Sequence, residues 1–165
     1  MTQSSLTEEE GTAYHEAGHA IMGAVRDTYP THVTVVREGN VAGKTDFADD
    51  WPAEFDKRSN DSPEKRQRVE TLILIKLAAA IAHDIRVPGR VRDEGDDCDE
   101  KAARNFIADY AGWADACQDS YFLRLQQIAC ETIREHWKWV EAVAAALMER
   151  KTILPGDIRT LRPTI

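Results

Sequence analysis

From Thr7 onward the pattern of apolar and polar positions suits a helix. Thr7, with Glu10 three residues on, is a capping-box signature. Apolar residues then recur at Ala13, Ala17, Ala20, Ile21 and Ala24, and Tyr14, Met22 and Val25 widen that face. The spacing predicts a helix from about Glu8 to Arg26, stopped near Tyr29-Pro30. A β-rich run, His32-Val33-Thr34-Val35-Val36, precedes turn-prone Glu38-Gly39-Asn40 and a short segment to Phe47, together predicting a small hairpin. Residues 48–62 are polar and contain proline, as a surface loop would. Ser62-Pro63-Glu64 opens a second helix with proline at its favoured first position. Its apolar body runs from Val69 to Ile85 and ends at Val87-Pro88-Gly89. Arg90 to Asp99 is densely charged and reads as a loop, after which Asp97 and Glu100 cap a third helix through Ala102, Ala103, Phe106, Ile107 and Tyr110. Ser120 to Arg150 keeps helical periodicity without Gly or Pro, as two helices meeting near His136-Trp137. Pro155-Gly156 then interrupts before a short terminal turn. The fold class expected is mainly α with a small β-hairpin, as a single domain over residues 1–165 with 1–6 flexible.

Charge narrows the function. Twenty-one basic side chains against 29 acidic ones leave a net charge of −8, which argues against a nucleic-acid partner, since phosphate binding needs clustered Lys and Arg. Charged residues at 30% and apolar ones at 42% suit a folded chain rather than a disordered one. The most apolar stretch, Leu72 to Ala82, is broken by Lys76 and is far shorter than the roughly 20 residues that span a bilayer, so no membrane insertion is expected. The polar, acidic start carries no secretory pattern. Three cysteines, Cys98, Cys117 and Cys130, cannot all pair within the chain and form no CxxC. Reduced thiols and a cytoplasmic location are the expectation.

Chemistry enters at His15-Glu16-Ala17-Gly18-His19, an HExxH on the first helix. At about 100° per residue the two imidazoles leave the helix roughly 40° apart, one turn from each other, as two ligands of one metal must. Glu16 lies on the adjoining face, within reach of a metal-bound water. A chance match would sit on an exposed stripe. Here, from Ala13 to Val25, the wedge of His15, Glu16, His19 and Gly23 is what interrupts an otherwise apolar helix. A catalytic zinc needs a third protein ligand and an open position. His32, His83, His136, the thiols and many carboxylates are candidates, and the acidic run Asp96-Asp97-Cys98-Asp99-Glu100 is the most attractive. That run would also serve as plain helix capping. Gly39-Asn40-Val41-Ala42-Gly43-Lys44-Thr45 imitates a phosphate-binding loop, but it has three residues between its glycines where the motif needs four. No helix follows it, so a hairpin turn is the better account.

Ala13-Tyr14-His15-Glu16-Ala17-Gly18-His19-Ala20-Ile21 resembles the start of the peptidase domain of the FtsH family, the membrane-bound ATP-dependent zinc proteases. Val33 to Gly39 and Gly43-Lys44-Thr45 resemble that family's strand pair. Leu77 to Ile85 resembles its second helix, usually LGGRAAEEL, and Asp99 to Ile107 its SNDxxxAT segment. Val143 to Leu161 resembles its C-terminal LAEALLEKETLDGEEI signature. The resemblance therefore covers nearly the whole chain from Ala13, in consistent order. It implies a helical zinc-peptidase domain of FtsH type, with Asp99 as third ligand beside His15 and His19, and Asp97 as runner-up. Ala80 and His83 stand where the family has an arginine and a glutamate, which leaves His83 as a support for the site or a half-buried histidine. Nothing within these 165 residues resembles the family's ATPase module or membrane segments.

The function this implies is zinc-dependent hydrolysis of peptide bonds in peptides or unfolded segments. Zn²⁺ would be held by His15, His19 and Asp99, with Glu16 as general base, and the strand around Val33 to Arg37 would pair with an extended substrate. Such a domain would have no motor of its own, leaving room for a homo-oligomer or a separate unfoldase partner. The alternative is a non-catalytic protein-interaction domain that retains the fold and a metal site. Three protein ligands plus water would favour hydrolysis, and four would close the site.

Overall fold

A computed structural model describes residues 7–48, 62–110 and 115–164. The expected loop at 48–62 and the flexible start at 1–6 fall almost wholly outside them. The architecture is mainly helical, with a small three-stranded sheet. Helix α1 (Glu8–Val25) begins where the capping box puts it, the Thr7 hydroxyl accepting the Glu10 N–H at 3.2 Å. Strand β1 (Pro30–Thr34) pairs antiparallel with β2 (Lys44–Phe47), Val33 lying opposite Thr45. Helices α2 (Pro63–Arg86) and α3 (Glu94–Tyr110) follow, then α4 (Asp115–Glu135) and α5 (Trp137–Arg150), which meet at His136 as expected. Strand β3 (Thr152–Ile153) and helix α6 (Pro155–Thr160) complete the chain.

Two expectations are corrected. The hairpin is not alone: β3 pairs antiparallel on the other side of β1, giving the order β2-β1-β3. The strand at Val33 is therefore central rather than an edge, and the edges of the sheet are β2 and β3. The run Arg90 to Asp99 is not a loop throughout, because α3 starts at Glu94. Asp93, not Asp97, provides its cap. The Asp93 carboxylate accepts the Asp96 N–H at 3.0 Å, and the Asp96 carboxylate accepts the Asp93 N–H at 3.1 Å.

The buried apolar residues form one cluster with α1 at its centre, packed against α2, α5 and β1. Helix α2 also carries α3 and α4. Small residues let α1 and α2 approach closely. A Cβ built on Gly18 would lie 2.6 Å from the Ala78 carbonyl oxygen and 2.9 Å from the Ala79 Cα. The buried Trp139 indole donates to the Ile158 carbonyl at 2.9 Å, anchoring α6 to α5. Among the described residues no helix is long and apolar enough to cross a membrane.

Candidate metal centre

His15 and His19 lie on α1, and Asp99 on the second turn of α3, 84 residues from His15. Helix α2 lies between these two helices in the fold and aligns them. The Nε2 atoms of His15 and His19 stand 3.1 and 3.0 Å from one atom, Asp99 Oδ2. A tetrahedral cation with bonds of about 2.0–2.2 Å separates its ligands by about 3.3 Å. Both nitrogens thus already sit from the Asp99 oxygen at nearly the spacing that a small divalent cation imposes. His15, His19 and Asp99 are positioned to hold a metal ion. They have three protein ligand atoms among the described residues, and the other group with suitable geometry is His15, His83 and Asp96.

Each ligand is held from behind. The His19 Nδ1–H donates to the Ile75 carbonyl of α2 at 2.8 Å, leaving Nε2 to face the cation position. The His15 Nδ1 faces Asp96 Oδ1 at 3.6 Å. The Lys76 ammonium of α2 takes the second Asp99 oxygen at 2.9 Å, so that carboxylate offers one oxygen rather than two. Glu16, 5% exposed, is fixed by β2, whose Thr45 hydroxyl donates to Glu16 Oε2 at 2.6 Å. Gly43 makes this possible: a Cβ there would lie 2.9 Å from Glu16 Cγ and 2.6 Å from the Thr12 methyl. The stretch that imitates a phosphate loop is in fact the wall against which Glu16 rests.

The acidic run divides cleanly by helical face. Asp96 and Asp99 are buried in register with Ala103 and Ile107, while Asp97 is exposed and paired with Arg92 at 3.3 Å. Asp97, the runner-up ligand, is thus excluded from the cluster, and Cys98 is exposed. His32 pairs with Asp46 at 3.6 Å, and His136 separates α4 from α5. His83 lies with its ring centroid 6.4 Å from that of His15, near but not among the three converging ligands. Lys76 and Thr45 are the residues that sequence reasoning missed, and Asp96 enters it only as one member of the acidic run, as a ligand candidate and not as a partner of His15. Only Asp96 left a signal: carrying the apolar stripe of α3 back from Ile107 and Ala103 lands on Asp99 and then Asp96.

Electrostatics follow from this packing. Burial pulls the His15 pKa down, but the Asp96 and Asp99 carboxylates outweigh it and lift the value to about 10. For Asp99, burial raises the pKa, yet His15, His19 and Lys76 hold the carboxyl well below the usual range. Asp96 is likewise held low, burial being outweighed by His15, Arg90 and the Asp93 N–H. A free imidazole is almost entirely neutral at pH 8, whereas metal-free His15 still carries both protons. Cation binding at Nε2 must displace one of them, so affinity climbs with pH up to about 10. We expect calorimetry at pH 8, in buffers of different ionisation enthalpy, to show at least one proton released per Zn²⁺ bound. Release near zero would contradict this charge state.

No protein-family model matches the chain, and no curated protein matches it.

Proposed function

We propose that this chain is a zinc-dependent endopeptidase of the HExxH type, with a peptidase domain similar to that of the FtsH family. The observation that carries the reading is the convergence of His15, His19 and Asp99 beside a buried glutamate held by its own strand. Two imidazoles and a carboxylate are a donor set suited to zinc. When bound, zinc would lower the pKa of a water and polarise the scissile carbonyl. Glu16 would serve as the general base beside it, the group that accepts a proton and passes it to the leaving amine. The Thr45 hydroxyl donates to Glu16 Oε2 and leaves Oε1 as the oxygen Thr45 does not engage. An extended peptide lying along β2 would pass beside Glu16, because Thr45 belongs to that strand. Peptides and unfolded segments are the substrates this arrangement admits.

A non-catalytic interaction domain with a structural cation would call for a fourth protein ligand. Three among the described residues support hydrolysis instead. Purified protein should carry about one zinc per chain and cleave an unfolded protein. Chelation should stop cleavage, and added zinc should restore it. Cleavage indifferent to chelation, or protein that takes up no divalent cation, would overturn the proposal.

A further inference from the structure

Arg90 and Asp96 form a charged pair that the chemistry above does not use. Asp96 is 1% exposed and the Arg90 side chain 7%. The guanidinium grips the carboxylate with both ends, Nη1 to Oδ2 at 2.6 Å and Nη2 to Oδ1 at 2.8 Å. Arg90 Nε also reaches Asp84 at the end of α2, at 2.8 Å. One arginine therefore clamps the last turn of α2 to the first turn of α3. Burying such a pair gains little stability over apolar residues of equal size. Its position suggests what else it does.

Resting on the metal reading above, we infer that the Arg90–Asp96 pair is a positioning device for His15, fixing which ring nitrogen faces the cation. A ligating imidazole must be neutral, with its lone pair on the ligating atom and its proton on the other nitrogen. For His15 the ligating atom is Nε2, so the proton resides on Nδ1. The carboxylate facing Nδ1 is Asp96. His19 reaches the same end through the Ile75 carbonyl. Each histidine thus has its own oxygen behind it, the Ile75 carbonyl of α2 in hydrogen-bond contact at 2.8 Å and the Asp96 carboxylate of α3 facing Nδ1 at 3.6 Å. Arg90 holds Asp96 at both oxygens, so the carboxylate cannot turn away toward solvent. The same grip rules against a second cation on His15, His83 and Asp96, whose one carboxylate is already neutralised.

The test compares zinc affinity, by competition with a chromogenic chelator, in wild type and in the double variant Asp96→Leu/Arg90→Met. Apolar side chains of similar volume keep the packing, and circular dichroism and the melting midpoint verify the fold. Affinity should fall about 10–100-fold. Asp96→Asn, which keeps an acceptor oxygen, should lose less. Asp97→Asn, at the residue next to Asp96 but on the exposed side of the same turn, should lose nothing. In zinc-loaded wild type, long-range ¹H–¹⁵N spectra should place the His15 proton on Nδ1. A folded double variant with wild-type affinity, a His15 proton on the other nitrogen, or two zinc ions per chain would overturn the inference while leaving the metal site standing. Wild type that binds no zinc would remove both.

Discussion

Glu16→Gln should leave zinc bound and reduce peptide hydrolysis by about 10³-fold, within the 10²–10⁴ range typical of a positioned general base. The substitution is nearly isosteric. The amide oxygen can still accept from the Thr45 hydroxyl that now donates to Oε2, and the amide clears Gly43 as the carboxylate does. What it cannot do is take a proton. His15, His19 and Asp99 are untouched, so zinc content should stay within about two-fold of wild type. Both quantities can be read on one sample, zinc by elemental analysis and cleavage by release of a fluorophore from an unfolded labelled protein. Retained zinc with lost cleavage separates a base from a structural residue. Undiminished cleavage by the variant would remove Glu16 from the chemistry and with it the proposed mechanism.

The second large effect concerns stability. Gly18→Val should destabilise the fold by about 3 kcal/mol, a combination of overpacking and the poor helix propensity of a β-branched residue. Replacing glycine in a helix ordinarily gains up to about 1 kcal/mol. At Gly18 the added carbon would meet the backbone of α2, an oxygen at 2.6 Å and a Cα at 2.9 Å. Backbone cannot swing aside like a flexible side chain, so the helices must part. Parting them moves His19 away from Ile75 and the α1 ligands away from Asp99, so metal affinity should fall too. The melting midpoint should drop by roughly 6–12 °C. Gly156→Ala is the control, because nothing lies within 4 Å of the Cβ built there and its effect should be small. A Gly18→Val protein that melts with wild type would contradict this account of the α1–α2 contact.

The features legible in the sequence are those that local physics determines. Thr7 and Glu10 announced α1, and the spacing of His15 and His19 put both imidazoles on one side of it. The junction of α4 and α5 at His136 followed from periodicity alone. Strand β3 was not legible. It is two residues long and exists through its pairing with Val33 and Thr34. The preceding helix also stops at Lys151, whose backbone adopts φ 66° without the glycine that usually marks such a stop. The start of α3 was misplaced because Asp93/Asp96 and Asp97/Glu100 offer the same spacing in one acidic run. Choosing between them takes the tertiary contact with Arg90. Lys76 looked like an interruption of an apolar helix, because its partner Asp99 lies on another element. Asp99 itself was reached through a resemblance, and the helical register of α3 is the physical reason it points inward.

Helices α1 and α3 meet at atoms separated by 84 residues of chain. A cation seated between His15 and Asp99 would act as a crosslink as well as a chemical centre. Closing a loop of that length removes freedom from the unfolded chain on the scale of about 4–5 kcal/mol when the link is a disulfide. All three cysteines here are free, so a cation would give the chain a brace that needs no oxidation. Protons or a chelator would undo it.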